Sequence, residues 1–395
     1  MTYNCQLIKM NIKRKNVLNC DKNVAWMDTM VLNPAIIEKD GIIHMLFRAT
    51  GTEVVKNNKF GADSFPICLG YGISTDGGDT WTFDKERPAL APKCEIEAEK
   101  MYIRNAYGRT VVNHANGCIE DPRLFYVEGK CYMTAACRMF PPGAYWVFDS
   151  PTQCAPEWIN GEHQFGAAAA KNVTVTVLYE VDIDALHNGE YESAFRYITN
   201  LTNSELGENR DVILFPNKMQ IDGKMQYVMI ERPVYPYLNR QFTERKPSIV
   251  ICAAERFEDF SDINLKRKIM AAPKYDWESN RIGASAPLLQ LDDERFLLCY
   301  HGKQDDEIGY TQNFMVLEKQ DNKLPEVKFR NGNRLIQVSE EWETPGRFKT
   351  PCVFITGMIK HGNDAVISYG AADERCGIMK IPFNEIMNYV SEGER

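Results

Sequence analysis

The sequence lacks the features of several protein classes. No apolar run approaches the ~18 residues that cross a bilayer, and there is no Gly-x-x-x-x-Gly-Lys-[Ser/Thr] loop for a nucleoside triphosphate. Acidic residues outnumber basic ones, 54 to 46, for a net charge of −8. No nucleic-acid partner and no membrane surface is therefore expected, because both require clustered positive charge.

Cysteine and histidine motifs for metal or redox chemistry are also missing. The 12 cysteines include no Cys-x-x-Cys pair, and neither zinc-ligand spacing, EF-hand spacing nor a His-Glu-x-x-His motif occurs. No metal and no cofactor is expected. The first residues, MTYNCQLIKMNIKRKN, lack an apolar signal region. These features predict free thiols and a cytoplasmic protein, or an exported one whose leader was trimmed.

The sequence does contain many short strand-forming segments between turns. Residues 41–48 are one example: they alternate near period two and are rich in β-branched and aromatic side chains. Tight-turn pairs precede several such segments, namely Asp40-Gly41, Glu128-Gly129 and Asp222-Gly223, and turns of this type join hairpins. Amphipathic helix patterns are scarce. The best predicts a short C-terminal helix at 383–390.

A loose repeat organises these strands. The pattern of an apolar residue, a polar turn, Gly and an aromatic strand recurs near positions 38, 127, 221, 291 and 362, about 80 residues apart. This spacing predicts an all-β fold, a five-bladed β-propeller, with six blades as the alternative. No Pro/Ser-rich linker interrupts the chain, so residues 1–395 are expected to form a single domain, with a loop insertion near 140–170.

One local motif favours the propeller. Residues 74–81, STDGGDTW, fit the Asp-box pattern Ser-x-Asp-x-Gly-x-Thr-Trp. In such a turn the Asp accepts backbone N–H bonds, the Gly permits positive φ, and the Trp packs beneath. Because Asp boxes are turns on the outer rim of blades, Asp76 is expected to be structural.

Polar residues within apolar strand-forming segments are candidates for a site at the propeller axis. Burying an ion there is costly unless the ion is paired or functional. Each candidate also has a structural interpretation, such as a surface ion pair or a satisfied core histidine, but their regular placement favours function. They occur about once per predicted blade: Arg48, Glu120-Asp121-Pro122-Arg123, Asn209-Arg210-Asp211 with Glu231-Arg232, Tyr300-His301-Gly302, and Gly370-Ala371-Ala372-Asp373.

These elements occur in the order typical of one enzyme family. Together with Asn33-Pro34-Ala35, Gly72-Ile73-Ser74 and Gly283-Ala284-Ser285-Ala286-Pro287, they resemble glycoside hydrolase family 130, the β-mannoside phosphorylases and their hydrolytic relatives, over nearly the whole chain. The Glu-Asp-Pro-Arg and Gly-Ala-Ala-Asp elements are the most specific. The resemblance implies a five-bladed β-propeller and an enzyme that cleaves β-mannosides, with Asp121 as the general acid.

The resemblance also implies a mechanism. The reaction inverts the anomeric carbon in one displacement; in the phosphorylases the acid acts through the 3-hydroxyl of the mannosyl unit, and inorganic phosphate attacks from the opposite face to give α-mannose 1-phosphate. The acid must be protonated near neutral pH, so a partly desolvated site is expected. Candidate phosphate ligands, chosen as fixed donors, are Arg48, Arg138, Arg210, Arg232 and His301. Candidate substrate contacts are Asn33, Arg104, Asn105, Glu120, Arg123, Asp211, Glu231, Tyr300 and Asp373, with Tyr107, Tyr145, Trp146, Tyr235 and Tyr237 as stacking candidates.

Three alternatives stay open. An inverting hydrolase would use water activated by a carboxylate such as Glu231, with the two carboxyl groups ~6.5–9.5 Å apart. A non-catalytic glycan-binding propeller would not require Asp121. A five-bladed glycosidase of the arabinanase or fructosidase type would place carboxylates on several blades. The expected partner is a small oligosaccharide, a β-mannoside, with inorganic phosphate as the co-substrate of a phosphorylase, and a homo-oligomer is compatible with the sequence.

Overall fold

The computed structural model describes residues 10–53, 59–60, 64–144, 156, 159, 172–234, 246–344 and 346–391. Within these ranges the strands form five antiparallel sheets of four or five strands each, and one two-stranded ribbon. The five sheets are the blades of a β-propeller. The predicted five blades are therefore confirmed, and the six-bladed alternative is wrong.

The strands are numbered in chain order, and each blade is given from its innermost strand outward. Blade 1 contains β2 (Met30–Lys39), β3 (Ile42–Thr50), β4 (Cys68–Ser74) and β5 (Thr82–Phe83). Blade 2 contains β8 (Cys118–Val127), β9 (Lys130–Arg138), β10 (Val175–Val181) and β11 (Phe195–Asn200). Blade 3 contains β12 (Glu208–Leu214), β14 (Lys224–Val234), β15 (Ile249–Ala254) and β16 (Arg267–Ala271), with β13 (Met219–Ile221) paired to β14. Blade 4 contains β17 (Arg281–Ala284), β19 (Arg295–Lys303), β20 (Tyr310–Gln320) and β21 (Lys323–Phe329), with β18 (Leu289–Gln290) paired to β19.

Blade 5 joins the two ends of the described chain. It contains β22 (Val353–His361), β23 (Asp364–Ala371), β24 (Arg375–Pro382) and, as its outermost strand, β1 (Lys13–Leu18). The register of β1 against β24 runs from Lys13 opposite Lys380 to Leu18 opposite Cys376. The ring is thus closed by hydrogen bonds between the first and the last strand.

The remaining elements are short. The ribbon consists of β6 (Tyr102–Arg104) and β7 (Thr110–Val112), and the predicted C-terminal helix is α3 (Phe383–Ser391), which buries Ile386, Tyr389 and Val390. None of the helices in the described ranges is both long and apolar enough to cross a bilayer. Most of the predicted insertion at 140–170 lies outside the described residues. The other helices are α1 (Ile183–His187), α2 (Tyr191–Ala194) and the 3-10 turns Ala98–Lys100, Ser204–Leu206, Phe257–Ser261, Asp276–Glu278 and Glu341–Glu343.

The tight-turn pairs found in the sequence directly precede the second strand of a blade. Asp40 and Gly41 have φ angles of 52° and 80°, and Asp222 and Gly223 have 49° and 80°. Positive φ at both central residues is the geometry of a type I′ turn, whose twist matches that of a hairpin. Nothing lies within 4 Å of a Cβ placed on Gly41, so backbone conformation rather than space requires glycine there.

The innermost strands of blades 1, 2 and 3 are interrupted at the same place. The strand register shifts between Leu32 and Ala35 in β2, and equivalent shifts occur in β8 and β12. Each shift contains one residue in the left-handed region: Asn33 (φ 46°), Asp121 (φ 52°) or Asp211 (φ 58°). Asn and Asp tolerate this conformation better than other residues with a Cβ. Such bulges redirect side chains next to active sites, and here they turn an amide and two carboxylates toward the axis.

The Asp box forms the turn between β4 and β5, on the outer side of blade 1. Asp76 accepts hydrogen bonds from the Thr80 N–H (2.8 Å), the Thr80 hydroxyl (2.6 Å) and the Ser74 hydroxyl (2.8 Å). These bonds hold the pKa of Asp76 well below its ordinary value. The indole N–H of Trp81 closes the turn by donating to the Gly78 carbonyl. All of these contacts lie within the turn.

Candidate active site

A cavity of about 240 Å³ lies where the innermost strands of all five blades converge. A larger cavity, of about 1130 Å³, lies on the outer side between β13, β16 and β21, but the axial cavity is the one that gathers buried charged side chains. Its lining includes seven of the predicted residues with an acidic or basic group, and Asn33. The full lining is Asn33, Arg48, Asp121, Glu208, Arg210, Asp211, Arg232, Arg281, His301, Tyr310, Phe348, Cys352, Phe354 and Asp373.

Asp121 is buried at this cavity and closely paired. Its Oδ1 accepts hydrogen bonds from Asn33 Nδ2 at 2.8 Å and from Arg48 Nη1 at 3.1 Å. Burial raises the pKa of Asp121, but the charges of Arg48, Arg123 and Arg210 and the Asn33 bond outweigh burial, so the pKa lies below its ordinary value. Desolvation alone therefore does not keep this carboxyl group protonated, which differs from the sequence-based expectation.

Glu120 gathers three arginines immediately beside Asp121. Arg48 Nη1 lies 2.9 Å from Glu120 Oε2, while Arg210 Nη1 and Arg138 Nε lie 3.4 and 3.6 Å from Oε1. We call these four residues the Glu120 cluster. Neither Glu120 nor Arg138 lines the cavity. The side chain of Glu120 is only 4% exposed. From outside the cavity it pairs with two arginines that line the cavity, Arg48 and Arg210.

Asp211 forms the second buried anchor. Its Oδ1 accepts from Arg123 Nη2 at 2.9 Å, and its Oδ2 accepts from Arg232 Nε at 2.5 Å. Burial raises the pKa of Asp211, but the charges of Arg232 and Arg123 lower it well below its ordinary value. Arg123 also donates to the backbone carbonyls of Asp121 and Ser285. Arg123 does not line the cavity. It is buried, and its hydrogen bonds connect blades 2, 3 and 4.

The remaining cationic lining comes from Arg210 and Arg281. Arg210 donates to Glu208 Oε1 at 2.7 Å and to the Thr174 hydroxyl at 2.9 Å. Arg281, at the start of β17, donates to Asn280 Oδ1. Sequence reasoning missed Arg281 and Glu208. The signal was available, since both lie on an innermost strand within three residues of a motif already singled out.

His301 reaches the cavity from the end of β19 as the last member of a hydrogen-bonded chain. Its Nδ1 lies 3.1 Å from Ser285 Oγ, and its Nε2 lies 3.6 Å from Asp211 Oδ2. Burial is the main cause that lowers the pKa of His301, to about 3, although Asp211 acts in the opposite direction. His301 is therefore a neutral imidazole near neutral pH, not a cation.

The remaining wall of the cavity is largely apolar. The ring of Phe354 lies 4.8 Å from the His301 ring and 5.5 Å from the Tyr310 ring, centroid to centroid. Burial raises the pKa of the lining thiol of Cys352 well above its ordinary value, so this thiol is unreactive. Phe354, Tyr310 and Cys352 were not predicted as site residues. Of the predicted stacking aromatics, Tyr107 lies in the β6–β7 turn away from the cavity, and Tyr145, Trp146, Tyr235 and Tyr237 lie outside the described residues.

Two predicted substrate contacts point away from the cavity. Glu231 is fully buried and accepts from Arg267 Nε at 2.8 Å and from Asn209 Nδ2 at 2.6 Å. Tyr300 is also fully buried, and its hydroxyl lies 3.0 Å from Glu278 Oε1. Side chains alternate across a strand, so Glu231 and Tyr300 take the faces opposite to Arg232 and His301.

Arg104 and Asn105 also lie outside the cavity. Asn105 Oδ1 accepts from the backbone N–H groups of Tyr107 and Arg109 and so fixes the turn between β6 and β7. Arg104 is exposed beside this turn. Across the ranges that the structure describes, no group of three or more His, Cys, Asp or Glu side chains could hold a metal ion.

Comparison with known proteins identifies the family. The sequence profile of a family described as β-1,4-mannooligosaccharide phosphorylase matches residues 164–392. The chain therefore belongs to glycoside hydrolase family 130, and it is a glycoside phosphorylase or hydrolase that acts on β-mannosides. This membership excludes the non-catalytic propeller and the arabinanase or fructosidase type.

Individual relatives cover nearly the whole chain. A 1,2-β-oligomannan phosphorylase of Thermoanaerobacter sp. (strain X514) is 24% identical over 381 residues, which is 96% of this chain and 99% of the relative. The β-1,2-mannobiose phosphorylase from Listeria innocua, solved with β-1,2-mannobiose, has a TM-score of 0.59 at 16% identity and covers 97% of this chain and 100% of its own. A solved member of the family described as containing hydrolases that target β-1,2-mannosidic linkages in Candida mannan has a TM-score of 0.60 at 15% identity, over 94% of this chain and 93% of its own. These structures share the fold.

Proposed function

We propose that this enzyme is an inverting β-mannoside phosphorylase in which Asp121 is the general acid and the arginines of the axial cavity bind inorganic phosphate. The observation that carries the proposal is the convergence of Arg48, Arg210, Arg232 and Arg281 on one cavity of about 240 Å³ that also contains the buried Asp121. A pocket of this charge suits a small dianion beside a sugar.

The arginines suit phosphate in two respects. Guanidinium groups remain charged and can bind two phosphate oxygens at once. Arg232 Nη1 is buried and has no hydrogen-bond partner among the described residues, although buried donors are almost always satisfied. A phosphate oxygen in the cavity would satisfy this donor. The arginines are also held rigidly, Arg232 by Asp211 and Arg48 by Glu120.

Bound phosphate would also allow Asp121 to carry the proton that a general acid must donate. An anion placed among these arginines offsets the positive charge that lowers the pKa of Asp121, so the carboxyl group gains a proton when phosphate binds. The bond between the anomeric carbon and the glycosidic oxygen then breaks as a phosphate oxygen bonds to that carbon. The proton of Asp121 passes through the 3-hydroxyl of the mannosyl unit to the leaving oxygen, and the proton of hydrogen phosphate, still on the product, restores the acid.

The substrate proposed first is a β-1,2-linked mannoside, because the full-length relative is named a 1,2-β-oligomannan phosphorylase. The test incubates the enzyme with β-1,2- and β-1,4-mannobiose, with and without phosphate. We expect α-mannose 1-phosphate to form, and only when phosphate is present. Release of mannose at equal rates with and without phosphate, and no mannose 1-phosphate, would identify a hydrolase instead.

A matched pair of variants connects the assay to the cavity. Arg232→Gln should raise the KM for phosphate more than the KM for mannobiose, because it removes a positive charge and the buried Nη1 donor that has no partner among the described residues. Arg196→Gln changes an exposed arginine that pairs with Glu180 on the outer strands of blade 2, and it should leave both constants unchanged.

A further inference from the structure

The hydrogen-bonded chain behind His301 fixes where its proton lies. The backbone carbonyl of Val353 can only accept, and Gln312 Nε2 donates to it at 2.6 Å. The Gln312 side chain therefore presents its oxygen to Ser285, whose hydroxyl donates to it at 2.6 Å. Since the single hydroxyl proton of Ser285 is used there, Ser285 Oγ must accept from His301 Nδ1 at 3.1 Å.

Burial keeps water from replacing any partner in this series of hydrogen-bonded side chains. Gln312 and Ser285 are fully buried, and His301 is 1% exposed. A neutral imidazole carries one proton, so a proton on Nδ1 leaves Nε2 with a lone pair. The 3.6 Å distance from Nε2 to Asp211 Oδ2, longer than a hydrogen bond, fits two acceptors facing each other.

The backbone of Gly283 lies next to Nε2 and to the carboxylate of Asp211. Asp211 already forms ion pairs with Arg123 and Arg232. Its negative charge is therefore compensated without a protonated His301. A Cβ on Gly283 would lie 2.8 Å from His301 Nε2 and 2.6 Å from Asp211 Oδ2. Glycine at this position therefore keeps the approach to Nε2 free of a side chain.

We propose that His301 Nε2 is a hydrogen-bond acceptor for the protonated oxygen of monohydrogen phosphate, and that this contact lets the enzyme distinguish phosphate from sulfate. The proposal rests on the proposed phosphorolysis. Sulfate has the same shape and charge as monohydrogen phosphate near neutral pH, but it has no proton to donate. Arginines only donate, so they bind both anions alike, whereas an acceptor favours the anion that carries a proton.

The first test measures phosphate and sulfate binding by calorimetry at neutral pH without sugar. We expect the wild type to bind phosphate more tightly by about tenfold or more, the usual size of a hydrogen bond to a charged group. In Ser285→Ala the imidazole proton is free to move to Nε2, and the preference should largely disappear. Ser248→Ala is the matched control, since Ser248 is a buried serine bonded to the Lys246 carbonyl, and it should keep the preference.

Equal affinity of the wild type for the two anions would overturn the proposal, as would an unchanged preference in Ser285→Ala. A second measurement does not depend on any variant of Ser285. Nitrogen-15 NMR of the imidazole, assigned by comparison with His301→Gln, should show the proton on Nδ1 and a lone pair on Nε2 at neutral pH. A proton on Nε2 would contradict the proposal. Failure of phosphorolysis itself would appear separately, in the products formed from mannobiose.

Discussion

The guanidinium of Arg48 lies 3.1 Å from the carboxylate of Asp121. Because the same Nη1 also lies 2.9 Å from Glu120 Oε2, Arg48 is shared between an anchor outside the cavity and the proposed acid within it. Its charge is the largest electrostatic cause that lowers the pKa of Asp121. An anion that draws on this charge would alter the protonation of Asp121, so the acid and the phosphate site are coupled.

Replacement of the proposed acid should separate catalysis from binding. Asp121→Asn is expected to reduce kcat by about 10²- to 10⁴-fold, the usual contribution of a general acid. Mannobiose binding measured by calorimetry should persist, because an amide preserves the size of the side chain. Asp182→Asn, at the N-cap of α1, is the control, since Asn caps a helix as well as Asp does. Full activity of Asp121→Asn would remove Asp121 from the mechanism.

Phosphate binding should protonate Asp121. The pKa of Asp121 is below its ordinary value, so the group is ionised near neutral pH, and an added negative charge shifts the pKa upward. Infrared difference spectra of wild type minus Asp121→Asn should show a protonated carboxyl band near pH 7 with phosphate and none without it. In Arg48→Gln the pKa of Asp121 should be higher even without phosphate. A band that does not respond to phosphate would contradict the coupling.

Loss of the Glu120 cluster should weaken phosphate binding more than sugar binding. Glu120→Gln removes the charge that holds Arg48, Arg138 and Arg210, so we expect phosphate affinity to fall by about tenfold. Calorimetry with phosphate measures this change, and circular dichroism checks the fold. Glu180→Gln, which breaks an exposed pair on the outer strands, should have no effect. An unchanged phosphate affinity in Glu120→Gln would show that the arginines do not depend on Glu120.

The Asp box should affect stability and leave activity unchanged. Hydrogen bonds from Thr80 and Ser74 hold the pKa of Asp76 below its unfolded value of about 3.9. A lowered pKa stabilises the fold above the unfolded value, and this stabilisation is lost as pH falls toward the folded value. Asp76→Asn should therefore lower Tm at pH 7, and the difference from wild type should narrow below about pH 4.

The control for the Asp box is Asp40→Asn. Asp40 occupies a type I′ turn that accepts Asn equally well, so its Tm should follow wild type at every pH. Both variants should retain wild-type kcat/KM. A loss of activity in Asp76→Asn without a loss of Tm would give Asp76 a role beyond the turn.

Much of the cavity could be predicted because its residues break a strand pattern. Asp121 and Arg210 are charged groups within apolar segments, and the ends of inner strands meet at the axis of a propeller. The face of each side chain was harder to predict. Glu231 and Tyr300 each adjoin a cavity residue in the sequence, and only the alternation of the strand, read with its register, assigns them to the opposite side.

Other features leave little trace in a local pattern. The strand β1 is polar, and its partner β24 lies more than 350 residues away, so no short-range signal predicts their pairing. Phe354 and Tyr310 are ordinary strand residues by composition. Their place at the cavity follows from where β22 and β20 pack around the ring, which is a property of the closed structure.

The repeated kink in β2, β8 and β12 has an implication for how this cavity could change. At each kink a single residue leaves the hydrogen-bonded ladder, and these residues are Asn33, Asp121 and Asp211. An exchange of amide for carboxylate at such a position would alter the chemistry of the cavity with no new insertion and no altered strand pairing. The same propeller could thus acquire a different activity through a substitution at any of three equivalent positions, each on the innermost strand of a different blade.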